Sequence, residues 1–164
     1  MARWIVSERG VVAVARALLA IGALLILAMP LWATLGVDDA VRAAFAPYCH
    51  QRFDRSLEIA GSVLPVCARC TGLWLGALLA ALVLPLVKPP RELPRYRVLA
   101  FAMAPMAFDL ALEHVFGLGP SALSRLLTGA CLGAAVTSFA IPALIRAAEE
   151  VRSRCETDSS TSRP

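Results

Sequence analysis

Four long apolar runs separated by short polar intervals organise the chain. Between Arg16 and Asp38 no charged side chain occurs, and apolar residues occupy every helical face rather than one stripe. Such a segment is surrounded by lipid or by core, and a membrane-spanning helix needs about 20 residues of this kind. The same pattern recurs at Thr71 to Val87 and at Leu126 to Ile145, and Val98 to Leu118 has the right length but carries Asp109, Glu113 and His114. The pattern predicts spans over about 15–37, 70–87, 98–118 and 123–147, in a single membrane domain covering 1–147. The polar stretch 148–164, ending in "CETDSSTSRP", reads as a disordered cytoplasmic tail. The expected fold is therefore all-α. It is a polytopic membrane protein, a four-transmembrane-helix bundle with a Cys/His-containing extracytoplasmic loop between the first two spans.

Composition strengthens this reading. Of the 164 residues, 59% are hydrophobic and only 17% charged, against about 25% charged in soluble domains. The net charge of +4 does not point to nucleic acid, because the basic residues form no stripe with interleaved aromatics. They gather at the ends of the apolar runs instead. Arg3 and Arg9 precede the first, Lys88, Arg91, Arg95 and Arg97 crowd the second connection, and Arg146, Arg152, Arg154 and Arg163 follow the last. The positive-inside rule then places both termini in the cytoplasm of a cell with the protein in its inner (plasma) membrane, and puts the Cys-rich interval outside. The first run exceeds the roughly 7–15 apolar residues of a signal peptide, which favours a retained span. Trp32 and Trp74 fall near the outer ends of their spans, as an aromatic belt would have them.

The unusual chemistry lies in "PYCHQRFDRS", residues 47–56, and in "CARCTG", Cys67 to Gly72, which hold three of the five cysteines. Cys67 and Cys70 sit at the outer entrance of the second helix, where Thr71 is placed to cap it, and Gly72 and Gly76 allow close approach by another element. Asp109 and Glu113 are one turn apart on the third helix, with His114 on the flank of that face. Ionised groups cost about 2.5–3.5 kcal/mol each at the centre of a membrane helix, so they persist where they pair or serve a site. Arg125 matches Glu113 in depth better than Asp109. This gives either a structural Glu113–Arg125 pair or a polar pocket beneath the Cys loop. Arg52, Arg55, Arg69 and Arg125 either form an anion site or neutralise Asp38, Asp39, Asp54, Glu58 and Glu113.

Three uses of the thiols are open. Zinc and copper favour thiolate and imidazole in sets of three or four. Cys67 and Cys70 supply two ligands, Cys49 or His50 a third, and His114, Glu113 or Asp109 a fourth. A redox pair is the second use: a helix N-terminus and Arg69 both favour thiolate at Cys67 and Cys70, which then carry thiol–disulfide exchange with a quinone or an envelope partner protein. The third is a disulfide or reduced thiols that only staple the loop. Cys131 reads as a packing residue and Cys155 as a free cytoplasmic thiol.

The set "CHQRFDRS", "LPVCARCTGLWLG", "PMAFD" and "RLLTGACLG" resembles the family of small multi-pass prokaryotic membrane proteins known as domain of unknown function 2085. The family pattern falls on Cys49, His50, Gln51, Arg55, Ser56, Pro65, Cys67, Arg69, Cys70, Gly72, Gly76, Asp109, Arg125, Thr128 and Gly129. After C-H-Q the family often has proline or an aliphatic residue where this chain has Arg52, and Glu113 and His114 are not part of the pattern. The resemblance implies a shared site without an established activity. The function expected is transition-metal binding by Cys49, His50, Cys67 and Cys70 at the outer leaflet, with zinc or copper as the ion. Arg55, Arg69, Asp109, Glu113, His114 and Arg125 form a supporting polar pocket. The bilayer is the expected partner, and a transport role would call for a homo-oligomer.

Overall fold

The computed structural model describes residues 8–87 and 96–161. Helix α1 (Glu8–Leu27) is followed by the short helices α2 (Met29–Thr34) and α3 (Asp38–Phe45), then by a 3-10 turn at Phe53–Arg55. Strands β1 (Ser56–Ile59) and β2 (Ser62–Cys67) lead directly into α4 (Ala68–Val87), and α5 (Tyr96–Val115) and α6 (Ala122–Thr161) complete the chain. The fold is mostly helical. Three helices carry stretches long and apolar enough to span a membrane, at Gly10–Leu27, Arg97–Val115 and Ala122–Val151, and Ala68–Val83 is a shorter apolar helix.

The structure changes three expectations. The first apolar run is not one continuous helix. α1 stops at Leu27, and Pro30, which cannot donate to an upstream carbonyl, sits in the first turn of α2. At the break the Trp32 indole donates to the Leu25 carbonyl at 3.0 Å. Second, the loop contains an antiparallel hairpin, so the protein is not purely α. Its turn at Ala60 and Gly61 has φ of +49° and +77°, the backbone sign that matches the twist of a two-residue hairpin. Pairing is irregular between Ser56 and Glu58, opposite the segment containing Pro65, which has no N–H for the ladder. Third, the last helix runs on to Thr161 in place of a disordered tail. "RAAEEVRSR" is rich in helix formers, and Arg154 pairs with Glu150 one turn back at 2.7 Å.

Close contact between α4 and α6 sets the frame. A Cβ added at Gly72 or Gly76 would strike the Leu126 and Ala130 carbonyls, and one at Gly129 or Gly133 would strike those of Arg69 and Leu73. Contact numbers rise together along both helices, so the two run parallel with their N-termini at the same end. Backbone-to-backbone packing of this kind is how small residues join helices in lipid. The expectation for Gly72 and Gly76 holds, and Gly129 and Gly133 supply the matching surface.

Two apolar clusters lie toward opposite ends of α1. Ala81, Ile141 and Ile145 pack with Val11, Val12 and Leu19 at one end. At the other, Ile26, Met29, Val41, Phe45, Leu64 and Val66 join helices α1–α3 to β2. Phe45 meets Trp74 edge to face, with centroids 6.0 Å apart. On α5, Phe101, Phe108 and Val115 face outward, the surface that lipid covers in a membrane protein.

Within α4, Pro85 has no N–H to give the Ala81 carbonyl. The Arg16 Nε of α1 donates to that carbonyl at 2.9 Å, and Nη2 reaches Leu82 O at 3.3 Å. Arg16→Met keeps the stem and removes both donors. It should cost about 1 kcal/mol, readable as a lower midpoint in detergent unfolding with the fold retained.

Candidate metal centre

Cys49, Cys67 and Cys70 arrive from three local structures. Cys49 follows the end of α3, Cys67 closes β2, and Cys70 lies in the first turn of α4. Their sulfurs all lie within 4.8 Å of one another. Cys49 is buried in the apolar cluster that joins α1–α3 to β2, and Cys67 and Cys70 are half-buried against it. All three are free thiols. The backbone N–H groups of Cys67 and Gln51 donate to the Cys49 sulfur at 3.3 Å and 3.4 Å. Gln51 reaches this position with φ of +51° and is anchored by its side-chain amide donating to Arg42 O. Arg42 in turn donates to Val63 O at 2.8 Å and lies over the Phe53 ring at 5.2 Å. The loop thus fixes Cys49 by a chain of polar contacts that ends on the hairpin.

A hydrogen bond from the Cys70 thiol pulls Cys67 down from the ordinary thiol range to about 5, with further help from backbone N–H groups and against the opposing effect of burial. In metal-free reduced protein Cys67 is therefore a thiolate at neutral pH, and it loses that form only as pH falls through about 5. Small alkylating agents should modify Cys67 faster than buried Cys49, with a rate that persists at pH 6 and drops by pH 4, as mass spectrometry of digests would read. On the exposed loop nearby, the Arg52 guanidinium bonded to Asp54 holds that carboxyl below the usual range.

The thiols form part of the wall of a cavity of about 420 Å³. His50, Arg55, Arg69, Arg125 and His114 also line it, with Tyr48, Gln51, Arg52 and Leu110. His50 is exposed, and it stands on this wall outside the three-sulfur cluster. His114 Nδ1 is 3.0 Å from Leu110 O, which leaves Nε2 outside that contact.

Glu113 gathers three of these arginines. Its carboxylate meets Arg69 at 3.2 Å, Arg125 at 3.5 Å, and Arg55 in a short contact. The expected Glu113–Arg125 pair is present as one arm of a larger assembly, which ties the 3-10 turn, α4 and α6 to α5. Asp109 stands apart from the arginines. Ser124 Oγ donates toward its carboxylate at 3.0 Å, and Thr128 Oγ1 lies 3.2 Å away. Sequence reasoning missed Ser124, although its position one turn before Thr128 on α6 is a signal for a shared polar face. Thr71 does not cap α4, which begins at Ala68. Its hydroxyl donates back to Cys67 O at 3.2 Å.

No solved structure matches the chain. A protein of Methanocaldococcus jannaschii, Uncharacterized protein MJ1492, is 31% identical over 109 residues, covering 65% of this chain and 69% of its own length. Residues 49–139, from the first thiol to the middle of α6, match the family described as Predicted membrane protein (DUF2085). With more than half its length inside that match, including every cysteine of the cluster and all of Glu113's arginine partners, the chain belongs to the DUF2085 family of membrane proteins.

Proposed function

We propose that this protein binds a transition-metal ion, zinc or copper, through Cys49, Cys67 and Cys70 at the outer face of the inner membrane. The observation that carries the reading is the mutual approach of three sulfurs within 4.8 Å. Sulfurs on one tetrahedral zinc, with bonds of about 2.3 Å, stand roughly 3.8 Å apart. A small inward movement suffices to reach that separation. Thiolates suit zinc and monovalent copper, and they rank low for calcium or magnesium. His50 and His114 line the same cavity and are the imidazoles nearest to hand for a fourth position.

The basic residues that flank the apolar runs support one orientation, and the parallel course of α4 and α6 is compatible with it. Both termini lie in the cytoplasm, and the thiols lie at the opposite face. A bound ion there would join the outer loop to the start of α4, with sensing, storage or handover of the ion as the roles it fits. A redox role for Cys67 and Cys70 is the second reading, favoured by the approach of their sulfurs to within 4.8 Å.

The test is elemental analysis of detergent-purified protein with a thiol count before and after reductant, for wild type and Cys67→Ser. About one zinc or copper per chain, lost in a folded Cys67→Ser protein, is expected. No metal, together with two thiols that appear only after reduction, would contradict the proposal and leave the redox reading.

A further inference from the structure

Charge in the cavity is unbalanced. Arg52, Arg55, Arg69 and Arg125 line it, and the carboxylates that meet them are Asp54 and Glu113. No acidic side chain lines the cavity itself among the described residues. Arg69 and Arg125 each give Glu113 a single Nη2, and the Nε of both is buried without a hydrogen-bond partner. Their side chains are only 13% and 11% exposed. Three guanidiniums on one carboxylate leave a surplus of positive charge at the cavity wall. Arg125 and Arg69 are also held by the tight α4–α6 crossing, since Gly129 packs directly on Arg69 O. That crossing sets the backbone from which both side chains extend.

We propose that this cavity is an oxyanion site that takes a phosphate-type group on Arg55, Arg69 and Arg125, with Glu113 as the internal anion that holds the three arginines in place. The guanidinium edge suits such a group because planar N–H pairs match tetrahedral oxyanions in bidentate fashion. A lipid headgroup and free phosphate share this chemistry. The site lies at one end of the bundle, where a headgroup would lie in a bilayer, and the cavity of about 420 Å³ admits either. The inference does not depend on the thiols binding metal. One ionised thiol on the wall would still leave the guanidiniums in excess.

The test uses full-length protein in a neutral detergent, with the metal content held constant. Inorganic phosphate is titrated against chloride at matched ionic strength, and binding is read by calorimetry. In parallel, native mass spectrometry follows retention of phosphatidic acid against phosphatidylcholine. Saturable phosphate binding identifies a free oxyanion as ligand, and selective retention of phosphatidic acid alone identifies a headgroup; each supports the site. Arg125→Lys keeps the charge and loses the fork, so it should weaken whichever ligand binds roughly tenfold, the effect of one charge-assisted hydrogen bond. Arg154→Gln, on the exposed end of α6, should leave binding unchanged. Wild-type protein that binds neither ligand would overturn the proposal, whatever the variants do. So would binding that Arg125→Lys leaves intact.

Discussion

Gly76→Leu is expected to abolish the folded bundle. The Cβ alone would run into the carbonyl and Cα of Ala130, which are backbone atoms with no rotamer to retreat into. α4 and α6 would have to separate along their whole crossing, taking Gly72, Gly129 and Gly133 out of contact. Inserting extra methylenes into tight packing costs about 1–3 kcal/mol, and more where backbone must move. In lipid there is little hydrophobic drive between helices to compensate, so van der Waals contact carries most of the association. We expect a loss of about 3 kcal/mol or more, a large part of the roughly 5–15 kcal/mol that holds a domain together. The result should be aggregated or degraded protein. Gly119→Ala is the control, since its nearest neighbour would be Arg125 Nη2 at an ordinary 3.7 Å. A Gly76→Leu protein that is monodisperse, with an unchanged unfolding midpoint, would refute the close crossing.

Cys49→Ser should separate metal binding from folding. The hydroxyl is smaller than the thiol but can still accept from the N–H groups of Cys67 and Gln51, so the loop should keep its path. Serine is a poor ligand for a soft ion, and removing one of three sulfurs should lower affinity by more than about 100-fold, beyond the effect usual for an outer-shell partner. Competition against a chromophoric chelator reads that change. The wild-type affinity should fall as pH is lowered, because each bound thiol must first give up a proton. An affinity independent of Cys49, in a protein of normal midpoint, would move the site elsewhere.

The long apolar runs and the CxxC at a helix start were legible because each depends on local composition and spacing. The hairpin was not. Its turn is Ala60–Gly61 rather than Asn-Gly, and its strands are short and interrupted by Pro65. The break after Leu27 has a local cause in Pro30, but an all-apolar run hides it, since neither segment loses its hydrophobic pattern. At the site, Glu113 and Arg125 were legible as a pair by depth along their helices. That Arg55 converges on the same carboxylate depends on how the loop folds back, and that Arg69 does so depends on where α4 stands relative to α5, neither of which a helical period encodes. The three-sulfur cluster lies between these cases. Cys67 and Cys70 are neighbours by sequence, and Cys49 joins them only because β2 delivers Cys67 beside the end of α3.

The central claim is that the three thiols hold one ion. X-ray absorption at the metal edge of protein loaded with one equivalent of zinc tests it most directly. The account predicts three sulfur scatterers at about 2.3 Å with one lighter ligand. A first shell made only of nitrogen and oxygen, or one that stays unchanged in Cys49→Ser, would contradict it.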